Sequence, residues 1–562
     1  MVPSYGRSFD CRRRYEDGMK GPLVSGSSIY QIGGQPGHRP EELVFVLKSI
    51  VALYRSRGKM LLAQCYDVSK FFDKEMIEDA VLVCYKRGVD PKAIRLWYKL
   101  NNKTQIKVKL PCGVSEAGEV GAVVGQGTIG GALVSQAVLD DGVMEHFEPG
   151  GVIQAEYGSV PLAPFMFQDD LINLAEGLPE ARLANSKVDA VMKQRGLSLN
   201  NDKSVCVVIG SKKQKAEVTE EIVKNPLLCG SFETKEKEEE KWLGQIISSA
   251  GLSDCVERTV TARSGKIKAA CLEIAQVVND WRAEVVGGME TAILLWEACC
   301  ISSLLHGAGT WTDMSGVTER KLNSLQQWYI RLVLQVGPGA PLASLLWDFG
   351  ILDMGLHVWI EKLMILLHIR RLGEETLAGK VYQEQRTNKW PGLVKEADQI
   401  CDELSVENVQ STKLSAKVYR AKLVQACHKM NEKRLKKQAE GKIKCERIND
   451  EKYGKKSYIE NSKIHNVRQM FKTRYGLLPF AGNYSRDKRF SRTDWLCRCG
   501  RAKEEEQHLV SGNCEVYGEI RAAYPNLNND EQLVKFFNEV LAMRDKLEEE
   551  DKTRATDDSS KC

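Results

Sequence analysis

The sequence predicts an α+β fold over its first half, followed by an all-helical region and a small Cys/His module near its end. Three observations predict it. Short apolar runs of strand length alternate with helix-period segments as far as Gly251. Beyond Gly251 the pattern is almost wholly helical, most clearly over residues 287–305, 320–336 and 356–372. Finally, Cys497, Cys499, His508 and Cys514 fall within one short segment.

Residues 1–40 are rich in Gly, Pro and Ser and read as loop. A helix is expected over residues 40–57, with Pro40 at its first position, where a missing N–H costs nothing. Residues 60–66 form a short apolar run, a strand ending at Asp67, and a helix follows over 74–87. The glycine-rich stretch 119–131 opens a helix over 132–143. Residues 164–174 alternate around an acidic turn and read as a hairpin. An amphipathic helix over 180–195 is stopped by Gly196, and strands follow at 204–209 and 242–247. Residues 547–562, polar and acidic, are expected to be disordered.

A chain of 562 residues is too long for a single core. No stretch approaches the roughly 18 uninterrupted apolar residues of a membrane span, and residues 1–20 lack the apolar core of a signal peptide. The 17 cysteines are an odd count, scattered through apolar runs such as 81–84 and 297–301. That argues for reduced thiols in an intracellular protein of nucleus or cytoplasm, and against a disulfide framework. Net charge is only +5 but unevenly placed: residues 411–500 hold 24 Lys and Arg against 8 Asp and Glu. Such a block attracts a polyanion through salt-sensitive phosphate contacts, or it is a solvated helical surface; charge alone leaves both open.

Asp169 and Asp170 interrupt an otherwise apolar run, residues 165–172. A buried carboxylate is costly without compensation, and a divalent cation would supply it; the alternative is a hairpin turn facing water. Asp67, at the end of another strand, favours the first reading. If the two strands are neighbours, the acids converge and could hold two Mg²⁺ ions about 3.5–4 Å apart, the arrangement for in-line attack at a phosphate.

These residues carry a resemblance. Asp67-Val68-Ser69-Lys70-Phe71-Phe72-Asp73 resembles the first palm motif of reverse transcriptases, and Phe167-Gln168-Asp169-Asp170 resembles their aromatic-x-Asp-Asp box. Between them, residues 125–131 (GQGTIGG) resemble the Gln-Gly loop that contacts template and incoming nucleotide. After them, 199–204 (LNNDKS) resembles the next motif and 241–247 (KWLGQII) the primer-grip hairpin. Upstream, 31–37 (QIGGQPG) resembles the Gln-x-Gly-Phe-x-x-Gly element of non-LTR retroelements. The six stand in family order. The resemblance implies metal ligation by Asp67 and Asp169, with Asp170 adjoining, and a steric gate at Phe72 against the ribose 2′-hydroxyl. It also implies contact of Gln126 and Gly127 with the nascent pair and neutralisation of the leaving phosphate by Lys203. Phe167 stands where the family has Tyr, and the Gln-Gly loop lacks its customary Pro.

Cys497, Cys499, His508 and Cys514 offer three thiolates and an imidazole, enough for a structural Zn²⁺, although one residue between the first two cysteines is a short spacing. The surrounding residues 503–517 resemble the zinc segment downstream of many non-LTR polymerases; unlinked thiols are the alternative. The expected organisation is partial fingers (1–58), palm (59–251), helical thumb (252–400), basic helical region (401–490), zinc knuckle (491–520), and C-terminal helix with acidic tail (521–562). The implied reaction is RNA-directed DNA synthesis. Its cofactor is Mg²⁺, its partners are template RNA, primer or target DNA and dNTPs, and no membrane is involved. Two rivals stand beside it: a retroelement-derived protein that binds nucleic acid without polymerising, and a viral RNA-copying palm. The viral enzymes usually carry Gly-Asp-Asp and a small or acidic residue where Phe72 stands. Since only thirty residues precede Gln31, finger strands that clamp the triphosphate are expected to be missing and extension by this chain to be poor.

Overall fold

The computed structural model describes residues 18–102, 105–107, 109–111, 113–116, 118–119, 130–147, 155–280, 287–460, 462–484, 495–527 and 529–559. It is a mixed α/β structure dominated by helix, and its contacts divide it into two units. One comprises residues 1–261, 306–318 and 358–423; the other comprises 262–305, 319–357 and 424–562.

The first unit is built on a five-stranded sheet. Its strands are β1 (Leu61–Asp67), β2 (Phe165–Phe167), β3 (Asp170–Ala175), β4 (Val205–Ile209) and β5 (Lys235–Lys237), in the order β5-β4-β1-β3-β2. Only the β5–β4 pair is parallel. Residues Leu61–Tyr66 of β1 and all of β4 are buried, which is why both read as short continuous apolar runs. Gln64 is the polar exception in β1. Its amide donates to Ala181 O (2.9 Å) and Asn185 Oδ1 (2.7 Å) and accepts from Asn173 Nδ2 (2.9 Å), so its own polar atoms are satisfied.

Helix Pro40–Ser56 covers the unit with a run of buried residues from Glu42 to Tyr54. Glu42 accepts from its own N-terminus at Arg39 N (2.8 Å) and pairs with His38 (2.7 Å) and His368 (2.8 Å). Helices Gly131–His146 and Leu178–Gln194 also lie where the periodicity puts them, within three residues at each end.

Several expectations need correction. Residues 18–25 are helical, not loop, because Met19 and Leu23, four apart, both bury against Ile77, Val83 and Trp97. The helix expected at 74–87 is split into Phe71–Lys74 and Ile77–Lys86. The strand expected at 242–247 is a hairpin of Glu239–Trp242 and Gln245–Ser248, since Leu243 (φ 44°) and Gly244 (φ 77°) make a two-residue turn. Residues 547–559 continue helix Asp530–Ser559; Glu, Lys and Arg are good helix formers, and ion pairs such as Arg544–Glu548 (3.0 Å) link successive turns.

The second unit is helical. The segment expected as one helix over 287–305 runs as Gly288–Leu295, a π-helical turn Trp296–Ile301 and Ser302–Leu304. Trp296 stacks on Tyr329 at 4.9 Å. The same unit also buries an ionic network: fully buried Asp348 accepts from Arg474 Nε (2.9 Å), Tyr475 OH (2.7 Å) and Tyr458 OH (2.8 Å). Arg474 also pairs with Asp530 (2.6 Å) and Glu451. Among the described residues no helix is long and apolar enough to cross a membrane.

Candidate active site and Cys/His cluster

β1 and β3 run antiparallel in a register that sets Asp67 opposite Asp170. Two acids separated by a hundred residues therefore share one end of the sheet. Asp169 lies in the tight turn joining β2 to β3, immediately after Gln168, whose φ of 60° is left-handed. For a non-glycine residue that conformation costs roughly 1–2 kcal/mol and persists only where neighbours enforce it.

The segment 199–204 closes the same end from the other side. Asn200 N donates to Asp67 O (2.8 Å), Asp67 N donates to Ser204 Oγ (3.3 Å), and Ser69 N donates to Ser198 O (2.8 Å). This brings Lys203 Nζ to 3.7 Å from Asp67 Oδ2, both side chains being reached by water. Phe165 of β2 meets Trp242 edge to face (5.7 Å between ring centres), which docks the 239–248 hairpin on the acidic hairpin. Trp311 Nε1 donates to Gln245 Oε1 (2.8 Å) and fixes that hairpin from behind.

The electrostatics are those of like charges brought together. Partial burial, then the charges of Asp169 and Asp67, push the Asp170 carboxyl up to about 6. Burial and Asp67 raise Asp169 as well, and Lys203 opposes both shifts. A hard divalent cation would relieve this repulsion, and carboxylates with a free approach are the donors Mg²⁺ takes. Asp67 and Asp169 would hold it, with Asp170 adjoining them.

Phe72 lies in the short helix Phe71–Lys74 that follows Asp67. Gln126 and Gly127 fall outside the described residues. Sequence reasoning missed how 30–34 bear on the acids. Gln31 is bridged to Met166, and Gly34 (φ 61°) is so close to Gln136 that an added Cβ would stand 2.7 Å from Nε2. A side chain there, such as the Phe of the resembled pattern, would strain the backbone at this φ and require Gln136 to move.

In the other unit, one ligand atom from each of Cys497, Cys499, His508 and Cys514 lies within 4.8 Å of all the others. Cys497 Sγ is 3.5 Å from Cys514 Sγ, and Cys499 Sγ is 3.2 Å from His508 Nε2. The edges of a zinc tetrahedron with bonds of 2.0–2.3 Å are roughly 3.5–3.8 Å, so the donors fit that ion. The first two cysteines sit on a tight turn, with Gly500 N donating to Cys497 O (2.7 Å) and Gly500 at φ 70°. His508 comes from helix Glu506–Val510, and Phe480, Tyr517 and Phe537 belong to the apolar cluster around the cysteines. Among the described residues no other group of three or more such side chains is gathered this closely, the three acids included.

No protein-family profile and no curated protein matches the chain. Among solved structures it is similar to apo telomerase from Candida tropicalis (10% identity over 74% of this chain and 61% of that one, TM-score 0.31). It is also similar to telomerase from Candida albicans in complex with a TWJ fragment of telomeric RNA (10%, 67% and 60%, 0.30). A C. tropicalis telomerase truncated from its C-terminal domain gives 11%, 43%, 44% and 0.28. The chain spans less than two thirds of each. At these scores the likeness carries no weight.

Proposed function

We propose that this chain is an RNA-directed DNA polymerase of non-LTR retroelement type, with its palm at residues 59–251. The observation that carries the proposal is the register that pairs Asp67 with Asp170, because it unites two motifs that are remote in sequence at one sheet end, with Lys203 beside them.

Mg²⁺ bound there would activate the primer 3′-hydroxyl and neutralise the leaving pyrophosphate. The chain's own contribution is positioning and electrostatics. Asp67 and Asp169 present oxygens from a rigid sheet end, and Asp170 adds negative charge at the same point. Lys203 offers a cation to the departing phosphate, and Phe72 excludes a 2′-hydroxyl. Gln126 and Gly127 face the nascent pair in this reading. Residues 252–400 form a helical thumb, and the basic residues of 401–490 hold template RNA or target DNA. The cluster at 497–514 holds one structural Zn²⁺. The setting is intracellular, where the fourteen described cysteines, all free, stay reduced.

A second reading, nucleic-acid binding without polymerisation, draws on the looser spacing of the three acids relative to the Cys/His cluster. Purified protein with a primed RNA template, four dNTPs and Mg²⁺ separates the two. Magnesium-dependent extension supports the polymerase; salt-sensitive binding with no extension supports the second reading.

A further inference from the structure

The two carbonyl and amide groups that flank a left-handed turn residue normally face water or another strand. At Gln168 they face a side chain. Gln31 Oε1 accepts from Gln168 N (3.1 Å), and Gln31 Nε2 donates to Gln168 O (3.0 Å). One primary amide thus pairs with both polar atoms of a single backbone residue, with Oε1 also accepting from Gly33 N (3.0 Å). Gln31 is fully buried and Gln168 half-buried, so competition from solvent for these bonds is reduced.

The amide is delivered by backbone pairing. Met166 N donates to Tyr30 O (2.8 Å) and Ile32 N to Met166 O (3.3 Å), which lays residues 30–32 along the outer edge of β2. Gly33 then passes so near the turn that an added Cβ would stand 2.3 Å from Gln168 N and 2.8 Å from Gln168 Cγ. Its neighbour is backbone, which cannot swing aside. Both features bear on the same peptide units. The carbonyl of Gln168 belongs to the peptide plane whose nitrogen is that of Asp169, so holding that oxygen fixes the base from which the Asp169 carboxylate projects.

We infer that Gln31 is a positioning residue for the acidic site: its side-chain amide, with Gly33 beneath the turn, locks Gln168 in its left-handed conformation and so aims Asp169 at the metal position. The inference rests on the metal-binding reading of Asp67, Asp169 and Asp170. It adds a determinant 137 residues away in sequence that touches neither metal nor substrate. The two bonds have separable roles. Replacing the amide by a carboxylate keeps the acceptor but turns an oxygen toward Gln168 O, whereas Met keeps the length and removes both bonds.

The test uses the full chain and Mn²⁺ as a spectroscopic substitute for Mg²⁺, so its first readout does not depend on turnover. Parent, Asp169→Asn, Gln31→Met, Gln31→Glu and Gly33→Ala are titrated with Mn²⁺ by electron paramagnetic resonance, alongside thermal unfolding and primer–template affinity. Asp169→Asn should abolish the tight Mn²⁺ site. Gln31→Met and Gly33→Ala should each weaken it about tenfold or more, with Gln31→Glu also weakened. Nucleic-acid affinity should stay within threefold, and the Mg²⁺ concentration for half-maximal extension should rise in step. Mn²⁺ affinity unchanged in folded Gln31→Met or folded Gly33→Ala, while Asp169→Asn loses the site, would overturn the brace and leave the site standing. Mn²⁺ affinity unchanged in Asp169→Asn would overturn the metal reading and the brace with it. Should Gln31→Met lose its cooperative unfolding, Gly33→Ala and Gln31→Glu decide between these outcomes by the same criterion.

Discussion

Asp170→Asn should make the protein more stable and less active at once. In the fold the Asp170 carboxyl is pushed from 3.8 to about 6 by burial and by Asp169 and Asp67. The folded state therefore holds this proton up to about pH 6, while the unfolded chain releases it near 3.8. Between those values the native state binds more protons than the unfolded one, so stability declines as pH rises through that window and the whole penalty is present at pH 7. A carboxyl raised from 3.8 to about 6 corresponds at most to roughly 3 kcal/mol. Asp170 is exposed at its surface, so solvent screening should reduce this to about 1 kcal/mol, or about 2 °C in melting temperature. The isosteric amide removes the charge and keeps the shape. By differential scanning calorimetry without divalent cations, the variant should melt higher than the parent at pH 7.5, and the gap should narrow toward pH 4.5. Added Mg²⁺ should raise the parent's melting temperature more than the variant's. A variant that melts lower than the parent at pH 7.5, or a gap that widens on acidification, would refute the reasoning.

Cys514→Ser should abolish a near-stoichiometric zinc content measured by elemental analysis, and chelation should lower the melting temperature of the parent but not of the variant. Arg474→Met leaves the Asp348 charge fully buried with only Tyr458 and Tyr475 as donors; it should cost about 3–5 kcal/mol in denaturant unfolding, and a loss below 1 kcal/mol would show that the network is dispensable. Phe72→Val should raise ribonucleotide incorporation relative to deoxynucleotide by one to two orders of magnitude, the range for a steric clash of roughly 1–3 kcal/mol, and an unchanged ratio would remove the gate assignment.

The parts of the fold legible in sequence are those where burial and local pattern coincide. β1 and β4 lie inside the sheet, so they spell short apolar runs, and the acids stand out because they break such runs at strand ends. What stayed hidden depends on contacts between remote segments. Residues 18–25 look like a Gly/Pro loop, and only the burial of Met19 and Leu23 against Trp97 makes them helical. The turn at Leu243 carries no Asn-Gly or Asp-Gly signal, so the residue pattern alone reads as one strand and only the resemblance of 241–247 implies a hairpin. Gln31 and Gly33 are visible as a spacing, but their hold on Gln168 is a tertiary fact. The tail failed in the opposite sense: its charge suggested disorder, whereas the local helix preference of Glu, Lys and Arg prevails. At the Cys/His cluster the one-residue gap between Cys497 and Cys499 is shorter than usual, and the turn at Gly500 lets both sulfurs approach His508 and Cys514.

The most direct test of the central claim is single-turnover extension of a primed RNA template by the parent and by Asp169→Asn, with both proteins saturated by the same primer–template. The account predicts Mg²⁺-dependent DNA synthesis by the parent and at least a thousandfold slower synthesis by the variant, with nucleic-acid affinity within a few fold. Equal rates from the two proteins, or a parent that binds the primed RNA and never extends it, would contradict it.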